Sequence, residues 1–370
     1  MKKEVVIVGV SDYWRSLLVD VLESKGYKVE FYVDSYVQHP RVKTLKPDEV
    51  GKYIKDPESY IFLFTFPLVG YRVEVLEKIK AQLGEKFEWW DYKKVYKEFK
   101  EVFSVIDNHY WFDNNYKIEC KEDILKLFEE DKSKRIVNNW IEFRKTHNGD
   151  FIEDPEEGQY IPEDINIMDI LPKSYNFIDV GAYNGDTLKL FLSKGKNFGK
   201  NMNIYVGFEP DKRNFSNLLK RIETLRQDFP DTVYIPIMAG CGDCFDVLNL
   251  YCDAEYGSIS RLTQIPGIDL KEFDFTQKVF IMKPDDTFIN LGFHLIKMDT
   301  EGYELPCLKG MQRIIREYKP ILMVSLYHKP EDLYEIPKFI KQIDPTYRLY
   351  VRVHGTFFME TVLYALPSHG

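Results

Sequence analysis

The sequence predicts an α/β protein of two Rossmann-like units. A smaller one covers residues 1–100, a larger one covers 159–370, and a helical connector at 101–158 joins them. Three observations carry this. Strand-length apolar runs alternate with helically spaced ones near the N-terminus, the alternation returns after Asn176, and glycines stand where strand gives way to helix. Strands alternating with helices call for a parallel sheet. At roughly 100–200 residues per domain, a chain of 370 residues has room for two.

In the first unit, Val5–Val8 is a β-branched run ending at Gly9. Trp14–Ser24 repeats Leu17, Leu18, Val21 and Leu22 at helical spacing, and Gly26 stops it. Lys28–Val33 and Tyr60–Phe66 read as strands, and Val73–Leu83 as a helix ending at Gly84. The first turn, Gly9 to Trp14, has one glycine of the G-x-G-x-x-G fingerprint, and Trp14 takes the place of the third. Asp34 ends the second strand, where a ribose-binding acid would sit. Nicotinamide-dependent oxidoreduction through this unit is thus a rival reading. The poor glycine pattern favours a structural unit, or a surface for self-association or a partner.

The connector begins after Lys93–Lys100, whose lysines read as a solvated helix face. Asp123–Phe143 has helical periodicity, and Asn148–Pro155 is polar and turn-rich. The net charge of −9 argues against nucleic acid as partner, because a general binder shows a basic patch. The most apolar stretch, Tyr60–Tyr71, holds Pro67 and Gly70 and is too short to span a bilayer. With no signal-peptide pattern at the N-terminus, a cytoplasmic protein is expected. Five cysteines do not make a disulfide scaffold. Cys241 and Cys244 form a C-x-x-C pair, Cys252 offers a third thiol, and no fourth zinc ligand is suggested by spacing.

The second unit carries the chemistry. Phe177–Gly181 is a buried strand running into a turn with Gly181 and Gly185, and a helix follows from Asp186 and Thr187. Glycines in such a turn let a ligand approach the backbone, and the helix start offers free N–H groups. Asn203–Phe208 is the next strand, and Glu209-Pro210 stands at its tip, where an acid can accept from both hydroxyls of a ribose. The helix Asn214–Arg226 and the strand Thr232–Ile237 follow. Met238–Asp243, with Gly240 and Asp243, comes where the edge of a base could be bounded. The strand before Asp299 delivers Asp299 and Glu301 to the same rim. Pro320–Ser325 leads to Tyr327 and His328, and Tyr347–Val353 with Met359–Leu366 reads as a terminal antiparallel hairpin.

These segments resemble the FkbM-type methyltransferases. The resemblance rests on Asp179–Thr187, Gly207–Asp211, Ile296–Glu304, Leu308–Gly310, Lys319–Leu322, Tyr327–Asp332 and Glu360–Tyr364, in order over roughly 159–366. It implies a class I methyltransferase fold, S-adenosylmethionine as donor, and oxygen methylation, in many bacterial members within polysaccharide or natural-product pathways. It places Gly181, Gly185 and Asp186 around the methionyl part of the donor, and Asp179, Ala182, Tyr183 and Thr187 of the same turn are expected to bind the donor with them. Glu209 and Pro210 would stand at the ribose, Gly240 and Asp243 at the adenine, and Asp299 beside the donor. Glu301, Tyr327 and His328 would meet the acceptor, a small molecule or carbohydrate, and Ser258, in a loop between these motifs, is a further candidate to contact it. Tyr183 and Thr300 depart from the residues common there.

A sugar hydroxyl is a poor nucleophile, so a base or a metal is expected. His328 is the base candidate, since an ordinary imidazole pKa near 6.5 suits proton acceptance. It could instead cap a loop or bind the acceptor. Asp299 is a base, a partner of the donor's ammonium group or, with Glu301, half of a divalent-cation pair. A non-catalytic donor-binding protein is a further reading, against which the intact Asp179, Gly181, Gly185, Glu209 and Asp299 argue.

Overall fold

The computed structural model describes residues 3–9, 14–36, 38–39, 41–68, 72–99, 121–146, 148–252, 260–261 and 275–368. The chain divides into two compact units. One holds residues 1–114, 139–157 and 353–359; the other holds 115–138, 158–352 and 360–370. The helix Asp131–Thr146 supplies residues to both, and it is separate from the helix Lys121–Leu125, where the sequence suggests one continuous helix.

The first unit is a five-stranded sheet in the order β3-β2-β1-β4-β5, all parallel. The strands are β1 (Glu4–Val8), β2 (Val29–Val33), β3 (Lys43–Leu45), β4 (Tyr60–Phe64) and β5 (Glu88–Trp90). The central strands are buried on both faces, which is why they read as continuous apolar runs rather than alternating ones. The helix Tyr92–Glu98 buries Tyr92, Val95 and Tyr96 and turns its lysines outward. Gly9 takes φ +65°, and a Cβ there would fall 2.0 Å from the Phe66 ring. The Thr65 hydroxyl donates to the Gly9 carbonyl. The side of Gly9 that a Cβ would occupy is therefore taken by the Phe66 ring.

The second unit is built on a seven-stranded sheet in the order β15-β16-β14-β13-β6-β7-β8. Its strands are β6 (Ser174–Val180), β7 (Asn201–Phe208), β8 (Val233–Ile237), β13 (Leu295–Met298), β14 (Ile321–Ser325), β15 (Arg348–Val353) and β16 (Thr361–Leu366). The first five in chain order pair in parallel, and β16 runs antiparallel to β14. Between β8 and β13 the chain forms a second sheet that the sequence reading passed over. Its order is β11-β10-β12-β9: β9 (Gly240–Cys241), β10 (Asp246–Cys252), β11 (Ser260–Arg261) and β12 (Phe275–Met282). Leu250, Cys252, Val279 and Ile281 fill its buried face.

The order of the large sheet fixes the place of a site. The chain starts at β6, builds outward through β7 and β8, then returns to the other side of β6 with β13. Ligands of open α/β sheets bind at such a reversal, outside the carboxyl ends of the strands. Here those ends are Val180, Phe208 and Met298.

Candidate active site

A cavity of about 280 Å³ opens at the reversal, lined from the tips of β6, β7 and β13. Of the residues expected from sequence, Gly181, Tyr183, Asp186, Thr187, Glu209, Pro210, Gly240, Asp299, Glu301 and Tyr327 line it. Asp179, Ala182, Gly185, Asp243 and His328 do not. Ser258 lies outside the described residues. Gln159, Tyr160, Lys297 and Glu360 line it as well, and sequence reasoning gave none of them a role.

The turn after β6 is shaped by its glycines, though not by ligand approach alone. Gly181 has φ +76°, and a Cβ there would lie 1.8 Å from the Asp299 carbonyl oxygen. The missing side chain therefore lets the end of β13 close against the end of β6. Gly185, at φ +80°, is the residue before the helix Asp186–Asn197 and packs under Leu218 and Arg221. Gly181 and Ala182 donate their N–H groups to the Phe208 carbonyl, tying the turn to β7.

Glu209 follows β7 and is 5% exposed. Its two oxygens accept from the Tyr183 N–H at 2.7 Å and the Asp211 N–H at 2.9 Å. Burial raises its pKa to about 8 against these two bonds, which favour the carboxylate. The side chain is thus fixed from the protein side while its carboxyl borders the cavity. Ala239, Gly240 and Cys241 form the adjacent wall. Asp243, two residues past β9, is exposed and off the cavity, because the chain turns away there to start the second sheet.

Asp179 is fully buried under this floor. It pairs with Lys297 at 3.2 Å and accepts from the Tyr205 hydroxyl at 3.1 Å. Burial lifts the Asp179 carboxyl to about 6, opposed by Lys297. Lys297 donates to the Gly181 carbonyl at 2.5 Å. Burial works against its charge, but Asp179, Asp299 and Asp186 outweigh that and raise its pKa. Asp179 therefore lies off the cavity and is paired with Lys297, which lines it.

At the other end, Asp299 accepts from the Tyr160 hydroxyl at 2.8 Å and from the Tyr327 hydroxyl at 3.2 Å, one on each oxygen. His328 stands behind this wall, 3% exposed. Its Nδ1 is 2.9 Å from a Glu304 oxygen, and its Nε2 is 3.5 Å from Glu301 and 3.6 Å from Asp299. Burial disfavours the imidazolium, yet Glu304 and Glu301 overcome it and push the pKa to about 10. Burial likewise opposes the Glu304 charge, and His328 reverses that to bring it down to about 2. The carboxylates around position 328 thus favour the protonated imidazole over the neutral one. Among the described residues, Asp299, Glu304 and His328 offer atoms within 4.8 Å of one another, close enough for a cation. The Glu304 oxygen nearest the imidazole, however, already accepts from the Thr300 and Gly302 N–H groups. Glu301, paired with Asp299 in the sequence reading, is not one of these three.

Tyr160, Tyr183, Glu301 and Glu360 all hold φ between +48° and +66°. Side chains larger than glycine rarely adopt this conformation, and its recurrence around one cavity marks a site where strain is stored.

A family model described as the methyltransferase FkbM domain matches residues 179–349. Among solved structures, the chain is similar to a methyltransferase FkbM from Methylobacillus flagellatus KT, at 19% identity and a TM-score of 0.57, over 98% of this chain and 90% of that one. It also matches a putative rRNA-methylase from Clostridium thermocellum at 12% identity and a TM-score of 0.34, over 55% of this chain and 93% of that one. No curated relative matches the chain. Among the described residues no helix is long and apolar enough to cross a membrane. The strand ends that build the cavity thus lie within residues 179–349, the stretch that matches the methyltransferase FkbM domain.

Proposed function

We propose that the second unit transfers a methyl group from S-adenosylmethionine to a hydroxyl of a sugar or glycosylated metabolite. The observation that carries the reading is the division of one cavity into two chemically distinct ends. One end, Gly181 to Thr187 with Glu209 and Gly240, suits an amino-acid-bearing nucleoside; the other is a wall of tyrosine hydroxyls and carboxylates around Asp299. The reversal of the sheet order at β6 and the antiparallel β16 support reading it as the class I methyltransferase fold.

In this reading Glu209 accepts from the ribose hydroxyls. Ala239 to Cys241 bound the adenine, and the start of the helix Asp186–Asn197 receives the methionyl carboxylate. The donor supplies a methyl group activated by its sulfonium charge. Lys297 and Asp179 fix the strand ends. Tyr160 and Tyr327 hold Asp299 at one orientation beside the reacting groups, and His328 keeps Glu301 and Glu304 in register as a buried imidazolium. Positioning and exclusion of water can supply much of the rate in such a displacement.

The test is incubation of the protein with methyl-labelled donor and neutral mono- and oligosaccharides. Label in a product that survives mild base, as an ether does and an ester does not, supports the reading. In a parallel panel of amino sugars and uronic acids, label confined to amine or carboxylate groups, with none on the neutral sugars, contradicts it.

A further inference from the structure

Methylating a hydroxyl releases a proton, and the cavity wall offers few groups to take it. Both oxygens of Asp299 already accept tyrosine hydroxyls. His328 stands off the cavity, between Glu304, Glu301 and Asp299. The Lys297 ammonium pairs with Asp179. Glu301 faces the imidazole at 3.5 Å.

Glu360 is different. It sits just before β16 and lines the same cavity as Asp299, Glu301, Tyr160 and Tyr327. One of its oxygens accepts from the Gln159 side-chain amide at 2.6 Å. Among the described residues no hydrogen-bond donor is recorded for its other oxygen. Its backbone is held at φ +52°, a conformation that costs a glutamate energy and aims the residue where an ordinary turn would not.

We propose that Glu360 accepts the proton of the acceptor hydroxyl, a role that rests on the methyl-transfer reading above. As the acceptor oxygen bonds to the methyl carbon, the S–C bond breaks and its electron pair stays on sulfur as a neutral thioether. The hydroxyl proton passes to the Glu360 carboxylate, which becomes a neutral acid and returns the proton to water before the next turnover. The titratable groups that act on it are Asp299, Glu301, Tyr160 and Tyr327 from the cavity wall and His328 from behind it, with Gln159 as its bonded partner. Burial, then Asp299, raises its pKa to about 7, while Gln159 and His328 pull the other way. A base works best when its pKa lies near the working pH.

The test needs no acceptor. S-adenosylhomocysteine reads the donor pocket alone; sinefungin, which bears an amine where the donor bears its methylated sulfonium, adds a positive charge facing the acceptor side. Both are titrated calorimetrically into the wild-type protein, Glu360→Gln and Gln159→Ala between pH 5.5 and 8.5. In wild type the preference for sinefungin rises about tenfold across this range, with a midpoint near 7. Glu360→Gln flattens the ratio. Gln159→Ala, losing a bond that favours the carboxylate, moves the midpoint upward. A flat wild-type ratio, or a pH dependence that survives Glu360→Gln, overturns the assignment. If folded wild-type protein does not bind S-adenosylhomocysteine at all, the methyl-transfer reading fails, and the role of Glu360 with it.

Discussion

Replacing Gly181 by alanine tests how the cavity floor is built. The new Cβ would sit 1.8 Å from the Asp299 carbonyl oxygen, where ordinary contact begins at 3.4 Å. The ends of β6 and β13 would have to part by about 1.6 Å. Two costs add. A non-glycine residue at φ +76° costs roughly 1–2 kcal/mol, and forcing an atom into a packed region costs roughly 1–3 kcal/mol more. The expected loss is therefore about 2–5 kcal/mol, or roughly 5–15 °C in Tm for a unit of this size. Gly199 is the control, since it has φ +65° with nothing within 4 Å of its would-be Cβ. Gly199→Ala should cost about 1–2 kcal/mol. Thermal unfolding of both variants followed by circular dichroism measures the difference. Equal destabilisation of the two would refute the close-packing argument and leave only backbone strain.

Two further outcomes follow from the buried charges. Lys297→Met leaves the Asp179 carboxyl without its cation and should cost about 3–5 kcal/mol in urea unfolding. The double variant with Asp179→Asn should recover part of that loss, and a fully additive result would contradict the pairing. His328 and Glu304 give opposite limbs of a pH profile. Glu304 is depressed from 4.5 to about 2, so its stabilisation is present above pH 4.5 and fades as pH falls toward 2. His328 is raised from 6.5 to about 10, so its stabilisation is full below 6.5 and fades as pH rises toward 10. His328→Ala should remove the alkaline fade and cost about 3–5 kcal/mol near pH 6. An unchanged alkaline limb in that variant would mean the imidazole is neutral in the fold.

Much of the large sheet was legible because buried parallel strands read as apolar runs and end at marked residues. Gly181 closes β6, Glu209-Pro210 closes β7, and Asp299 closes β13. Glu209 was found by its position alone. Lys297 left a signal that was passed over: a cation inside the apolar run Leu295–Met298 must be paired if the strand is buried. The second sheet left one as well, in the alternation of Leu248, Leu250 and Cys252. Gln159, Tyr160 and Glu360 left none that periodicity could use. Gln159 and Glu360 meet across 201 residues of sequence, and Tyr160 meets Asp299 across 139. His328 was legible as a residue but not as chemistry, since its proton affinity is set by Glu304 and Glu301, which only the fold brings beside it.

Donor binding at the tips of β6 and β7 is the central claim. The direct measurement is calorimetric titration of S-adenosylhomocysteine into the wild-type protein, Glu209→Ala and Asp243→Ala. Losing hydrogen bonds to a ribose should weaken binding roughly 10–100-fold in Glu209→Ala. Asp243→Ala, altered at an exposed position off the cavity, should bind like wild type. No binding to folded wild-type protein, or equal affinity in Glu209→Ala and wild type, would contradict the account.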